Sequence, residues 1–445
     1  MANKTDSGKL GLTACIAMLA GGCIGSSIFS LSGMTMYYAG PAAILSWIIA
    51  AALCGSYGLQ AAELSIRYPK SGGVYTFPAR AINPKIGFVT AWGYLVSNTI
   101  AVAFAAIYVG TYLGVGWSFL GNLQIPLAIL ATLLCAWLCL NKISTAGKIN
   151  NILVGVLIVT MLTYIIIAFT HPNFSWDNFS NFFGQGVKGT TGWIEAVPNA
   201  MTGFGSIVAV AFLVGQVENP KKNVPTATVV ALGLVVCLYV LMIVSTMGHV
   251  TAQFLIDNPG MRFIPMFAAA FTSMSNVVWL PKLISIAAFI ALVTTMLVVL
   301  NLTANAMKSM ADDGMLPATF TKLNKADSPA PAIIVVTVVS CILSCFPSAT
   351  ELLVNLGSLF AAVNVSMVII AAVFARKKTT LEEDAFVAPG GNIISIITVV
   401  LILCTYIPKF FSGDITMWVF TIVLYVVGAV IMMYFEKKNK GAVAQ

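Results

Sequence analysis

Two short stretches of the sequence place glycines and hydroxyl side chains together inside otherwise apolar runs. The first reads Gly21-Gly22-Cys23-Ile24-Gly25-Ser26-Ser27-Ile28-Phe29 and the second Thr202-Gly203-Phe204-Gly205-Ser206. Glycine costs a helix about 1 kcal/mol relative to alanine, so each cluster predicts an interruption where backbone N–H and C=O groups lose their helical partners. Such a break can bind ions without any charged side chain. The half-helix that restarts after it presents N–H groups and partial positive charge to an anion, while freed carbonyls accept from an ammonium group. The amides of Gly25, Ser26 and Ser27, helped by the Ser26 hydroxyl, are the candidate holders of a carboxylate. The carbonyls of Cys23 or Ile24 and of Thr202, Phe204 and Gly205 are the candidate acceptors for an ammonium, with the Phe204 ring as a candidate gate. The competing reading is small-residue helix packing, since Gly21 and Gly25 have Gly-x-x-x-Gly spacing.

The remaining chemistry-bearing residues are sparse. No Asp, Glu, Lys, Arg or His falls inside the apolar runs, which excludes an embedded proton relay or hydrolase site, since both need ionisable partners at membrane depth. Asn98, Asn301 and Asn355 could reach the side chain of a ligand. Glu63 and Glu218 lie just beyond apolar runs, near Arg67 and Lys221, and are expected to form ion pairs that hold a cytoplasmic gate. All nine cysteines sit in apolar runs, and Cys341 and Cys345 lack further ligands for a metal. His171 and His249 lie at outer ends of runs, where solvation is expected. No catalytic residue, metal or cofactor is expected.

The elements that must position these residues follow from composition. Of 445 residues, 59% are hydrophobic and 9% charged, against about 25% charged in soluble domains. A soluble enzyme, a disordered chain and a nucleic-acid binder are excluded. Apolar runs of bilayer length occupy roughly 11–32, 41–62, 87–113, 124–141, 149–170, 196–217, 226–247, 283–307, 331–347, 352–375, 392–408 and 415–435. The expected fold is therefore an all-α polytopic protein with twelve transmembrane helices and a single domain over 1–445, its partners a small-molecule substrate and the lipid bilayer. The net charge of +8 is a topology signal, because 19 of the 23 Lys and Arg fall in alternate connections. Both termini are then expected in the cytoplasm, in a cytoplasmic membrane. The two interrupted runs are the first and the sixth. That offset suggests inverted repeats over about 11–170 and 196–375, with a site at their interface and two further helices over about 392–435.

The loops sharpen this picture. The first-run motif resembles the G-x-x-x-G-S-G-I-F element of the amino acid–polyamine–organocation permease superfamily, with Ser27 in place of its last glycine. Ala62-Glu63-Leu64 with Pro69-Lys70-Ser71-Gly72-Gly73-Val74-Tyr75 is similar to A-E-L…P-x-S-G-G-x-Y. Glu218-Asn219-Pro220 through Pro225, Met310 through Pro317 and Phe386 through Gly390 resemble further loop elements of that superfamily, in the same order. The resemblance implies a LeuT-type five-plus-five fold with spans 1 and 6 unwound, two extra C-terminal helices, and amino-acid transport by alternating access, as a monomer or homodimer. Exchange of small zwitterionic amino acids is the expectation. The alternatives are a cationic amino acid or polyamine antiporter and a proton-coupled symporter. Where the acid-resistance antiporters of this superfamily carry a carboxylate after the sixth-span break, this chain has Val208.

Overall fold

Asparagine and proline set where several long helices begin, and basic residues where others end. The computed structural model describes residues 9–25, 27–141, 143–382, 385–412 and 415–443. In chain order the helices are α1 (Leu12–Cys23), α2 (Ser32–Ala39), α3 (Ala43–Arg67), α4 (Gly73–Ala81), α5 (Pro84–Gly116), α6 (Gln124–Cys139), α7 (Ile143–Thr170), α8 (Gly192–Thr202) and α9 (Ala209–Phe212). They continue with α10 (Pro220–Met247), α11 (Ala252–Asp257), α12 (Pro265–Thr272), α13 (Leu280–Asp312), α14 (Ala330–Ser344), α15 (Thr350–Lys378), α16 (Gly391–Ser412) and α17 (Ile415–Val443). The Asn83 side chain accepts from the Ile86 amide at 2.9 Å, and Pro84 takes the first helical position, where it has no N–H to satisfy. Arg67 closes α3, and Arg376, Lys377 and Lys378 close α15, each at the helix end that favours positive charge.

Among the described residues nine helical stretches are long and apolar enough to cross a membrane, or ten when α8 and α9 with their short flanking turns count as one bent span. Leu12–Arg67 counts there as one stretch, and Ala330–Ser344 is a shorter apolar helix. The chain is an all-helical polytopic membrane protein. Among the described residues the strand-like pairing is confined to a parallel bridge between Leu10 and Val217. The most apolar segments of α13 and α5 are 78% and 67% buried, whereas those of α16 and α17 are 22% buried. The first two therefore form the centre. The last two lie at the rim and turn Ile393, Ile396, Val400, Val426 and Val430 outward, where lipid chains solvate them.

Two spans are interrupted. α1 ends at Cys23, and the chain resumes as a π-helical turn over Ser27–Leu31 before α2. α8 ends at Thr202 and gives way to a 3₁₀ turn over Gly205–Val208, with a bend of 46° into α9. α1 packs directly against that turn, so the two interruptions are neighbours.

One sequence expectation fails in the loops that follow α7 and α10. His249 is not solvated; it is 8% exposed. Its Nε2 donates to the Ala168 carbonyl at 2.9 Å, and its Nδ1 lies 2.7 Å from the Ser273 hydroxyl. The reason is local: the Phe174 ring lies edge-on to His249 and covers Gly248, folding the loop after α7 back over the imidazole. Burial holds the His249 pKa below the ordinary histidine value, and the neighbouring His171 pushes the same way.

Candidate functional site

The first break is narrower than the glycine cluster predicts. Gly21 and Gly22 remain in α1, and their carbonyls, in its last turn, accept from the Thr295 hydroxyl of α13 at 3.3 and 3.2 Å. Two glycines are required here by close approach. A Cβ on Gly25 would lie 1.9 Å from the Thr295 hydroxyl oxygen, and one on Gly22 would lie 2.7 Å from the Ser206 Cβ. Small-residue packing and helix interruption therefore coexist: Gly22 admits the second break, while Gly25 admits the residue that caps the first.

The breaks are joined by two side-chain contacts. The Ser27 and Thr202 hydroxyls are 3.4 Å apart, and Thr202 donates back to the Asn199 carbonyl at 2.6 Å. Tyr239, on α10, directs its hydroxyl at both the Cys23 carbonyl and the Gly203 carbonyl, the latter at 2.9 Å. A phenol has one proton to donate, so it serves one of these carbonyls fully at a time. The Tyr239 ring is held edge-on by Trp47 at 4.8 Å, and Phe204 packs against both, 5.2 Å from Tyr239 and 6.0 Å from Trp47.

Beside the breaks lies a cavity of about 120 Å³. At roughly 10–15 Å³ per water it holds on the order of ten molecules, the space of a small amino acid. Gly22, Cys23 and Ser27 line it from the first break, and Thr202, Gly205 and Ser206 from the second. Tyr94, Asn98 and Phe104 of α5, Thr295 of α13 and Gly357 and Asn364 of α15 complete much of the wall. Among the described residues no charged side chain lines it. The Tyr57 hydroxyl, from a lining residue, is buried without a hydrogen-bond partner in the protein, an arrangement whose cost is removed when a ligand supplies one, while the Asn98 amide faces the Tyr94 hydroxyl. On one side the cavity is stopped by aromatic rings: Phe212 lies edge-on to Tyr57 at 6.4 Å, Tyr94 at 5.8 Å and Phe77 at 5.8 Å.

The sequence-derived candidates divide accordingly. Cys23, Ser27, Thr202, Gly205 and Asn98 line the cavity. Ile24, Gly25 and Phe204 do not, and Phe204 is fully buried in the Trp47–Tyr239 packing. Ser26 lies outside the described residues. Asn301 accepts from Asn305 at 2.8 Å, and the Asn355 carbonyl accepts from the Ser358 hydroxyl at 2.8 Å; neither lines the cavity. Tyr239, Tyr57 and Gly357 are not legible as site residues in the sequence, because a tyrosine or glycine in an apolar run carries no signal of direction.

Glu63 and Glu218 stand apart from the cavity. Glu63 is fully buried inside α3 and accepts from Arg67 Nε at 2.9 Å, from Arg376 Nε at 3.0 Å and from the Ala388 amide at 3.0 Å. Arg376 also reaches Gln60, Asn392 and Ser395, so the cluster ties α3 to α15 and to the start of α16. Glu218 is exposed, and its amide donates to the Leu10 carbonyl at 3.0 Å; the nearby Lys221 pairs with Glu382.

The chain also resembles known proteins in sequence. The chain is similar to the branched-chain amino acid permease BcaP of Bacillus subtilis, with 27% identity over 419 residues that cover 88% of this chain and 86% of the relative. It is 26% identical to the methylthioribose transporter of the same organism, over 95% of this chain and 92% of that one. It is also 24% identical to the chloroplastic cationic amino acid transporter 7 of Arabidopsis thaliana, over 88% of this chain and 69% of the relative. Residues 10–433 match the amino acid permease family model, and the chain belongs to that family.

Proposed function

We propose that this protein exchanges zwitterionic amino acids across the cytoplasmic membrane by alternating access. The observation that carries the proposal is the cavity, set between two adjacent helix breaks and lined, among the described residues, by no charged side chain. Such walls suit a ligand whose opposite charges are close together and can be met by backbone groups. The amide of Ser27, the one sequence-derived carboxylate holder that lines the cavity, takes the carboxylate. The Cys23 carbonyl, which shares one Tyr239 proton with Gly203, accepts from the α-ammonium together with the Thr202 and Gly205 carbonyls. Asn98, which lines the cavity beside Tyr94, donates an amide proton to the ligand. A cationic side chain would find no carboxylate there, which disfavours the antiporter alternative.

In this reading Leu12–Arg67 crosses twice and both α8–α9 and Ala330–Ser344 cross once, so the chain has twelve spans in a five-plus-five arrangement with α16 and α17 appended. Both termini are cytoplasmic. The Phe212 ring cluster and the Leu10–Val217 bridge then close the cytoplasmic side, with the Glu63 cluster bracing the same side. Counterflow in proteoliposomes tests the proposal. Amines that lack the α-carboxylate should compete at least about tenfold more weakly than their parent amino acids, because an unpaired buried donor costs about 1–3 kcal/mol. Equal competition by the amines, or flux that neither saturates nor shows counterflow, overturns it.

A further inference from the structure

The wall that α5 and α15 give to the cavity carries polar groups at Ser97, Asn98, Ser358 and Asn364 and, beside them, an apolar stretch. Ile100, Leu353, Leu356 and Phe360 form an apolar cluster of their own, separate from the main core, and Ile100 and Leu353 reach the cavity surface. Ala101 and Phe104 extend that surface along α5, and Val354 and Ala361 along α15. Within it stands one glycine. Gly357 lies inside a continuous helix, where glycine is the least favoured residue after proline. Packing does not demand it: a Cβ there would meet Ile100 Cγ2 at 3.4 Å and the Ser97 carbonyl at 3.9 Å, ordinary contact distances. Ala361 follows four residues later, on the same helix face, and lines the same cavity. What the glycine leaves is space, and the space belongs to the cavity.

We infer that this α5–α15 wall is the side-chain subsite, that Gly357 sets the size it admits, and that the substrates are amino acids with uncharged aliphatic or thioether side chains of about leucine size. The inference rests on the zwitterion reading above, which leaves the ligand side chain as the part to be housed away from the breaks. The chemistry follows from the lining. Ile100, Leu353, Val354 and Ala361 offer apolar contact and no ion partner. The volume, on the order of ten waters, matches the nine heavy atoms of leucine and is short of the fifteen of tryptophan.

The test is counterflow in proteoliposomes with labelled alanine, valine, leucine, methionine, phenylalanine, tryptophan and lysine. The wild type should carry leucine, valine and methionine best, with tryptophan and lysine at least tenfold lower in kcat/KM. Gly357→Val should lower leucine and methionine by roughly tenfold or more, the range a misfit of about one methylene produces, and lower alanine much less, while detergent-extracted yield and monodispersity report that the variant folds. If Gly357→Val does not insert, Ala361→Val and Gly357→Ala read the same shift in the alanine-to-leucine ratio. Equal loss for alanine and leucine in a folded variant, or no loss for either, overturns the subsite and leaves zwitterion exchange intact. Lysine or tryptophan carried as well as leucine also overturns it. A wild type that exchanges no amino acid, or that accepts decarboxylated analogues equally, removes the underlying reading instead.

Discussion

Tyr239 has one hydroxyl proton and two carbonyl oxygens in reach, one from each helix break. That shortage is chemically useful, because it leaves a buried acceptor partly unmet next to the cavity while the ring keeps the breaks together. Tyr239→Phe removes the donor but retains the edge contacts with Trp47 and Phe204. Exchange should fall by roughly tenfold or more, as the loss of one buried hydrogen bond costs about 1–3 kcal/mol, while detergent-extracted yield and monodispersity stay near wild type. Wild-type exchange by Tyr239→Phe would show that the carbonyls need no donor. Thr295 plays the matching part on α13, where one hydroxyl serves two carbonyls of the first break.

At the scale of helices, the strongest polar tie is a carboxylate sealed inside α3. Glu63 has no exposed surface, and its partner Arg376 is 10% exposed. Buried ion pairs contribute little net stability, but removing one member leaves an uncompensated charge at a cost of about 3–5 kcal/mol. Glu63→Ala strands two guanidinium groups, whereas Arg376→Ala still leaves Glu63 paired with Arg67 at 2.8 Å. Thermal unfolding in detergent should therefore show Glu63→Ala as the more destabilised of the two variants. The reverse order would mean that Arg376 acts mainly through Gln60, Asn392 and Ser395 rather than through the carboxylate.

For the whole molecule, the loop after α10 supplies a pH dependence that the cavity does not. His249 is buried with its pKa lowered, so it is neutral in the folded state near pH 7. An unfolded histidine titrates near about 6.5. A lowered folded pKa means that the unfolded chain binds the proton first, so stability is full above that value and declines as pH falls below it. Melting temperature should drop between pH 7.5 and pH 5, and His249→Gln should flatten the drop. An unchanged slope in that variant would assign the acid sensitivity to other groups. Exchange by folded protein should vary little over the same range, because none of the described cavity-lining side chains titrates there.

Much of this was legible in the chain itself. Apolar runs of bilayer length and the scarcity of charge fix an all-helical membrane protein, because a bilayer leaves few other ways to satisfy a backbone. The glycine–hydroxyl clusters located both helix interruptions, since glycine weakens a helix wherever it stands. The Arg67 partner of Glu63 was readable from i, i+4 spacing on one helix. Other features depended on contacts between distant segments. Thr295 lies more than 270 residues from the carbonyls it caps, and Arg376 more than 310 from Glu63. Tyr239 could not be told from any other aromatic residue in an apolar run. Of the three asparagines equally plausible by sequence, only Asn98 lines the cavity. In a helix buried on several sides, sequence period does not say which neighbour a polar residue faces; helix packing decides that, and it buries the Phe204 ring, the candidate gate, against Tyr239 and Trp47.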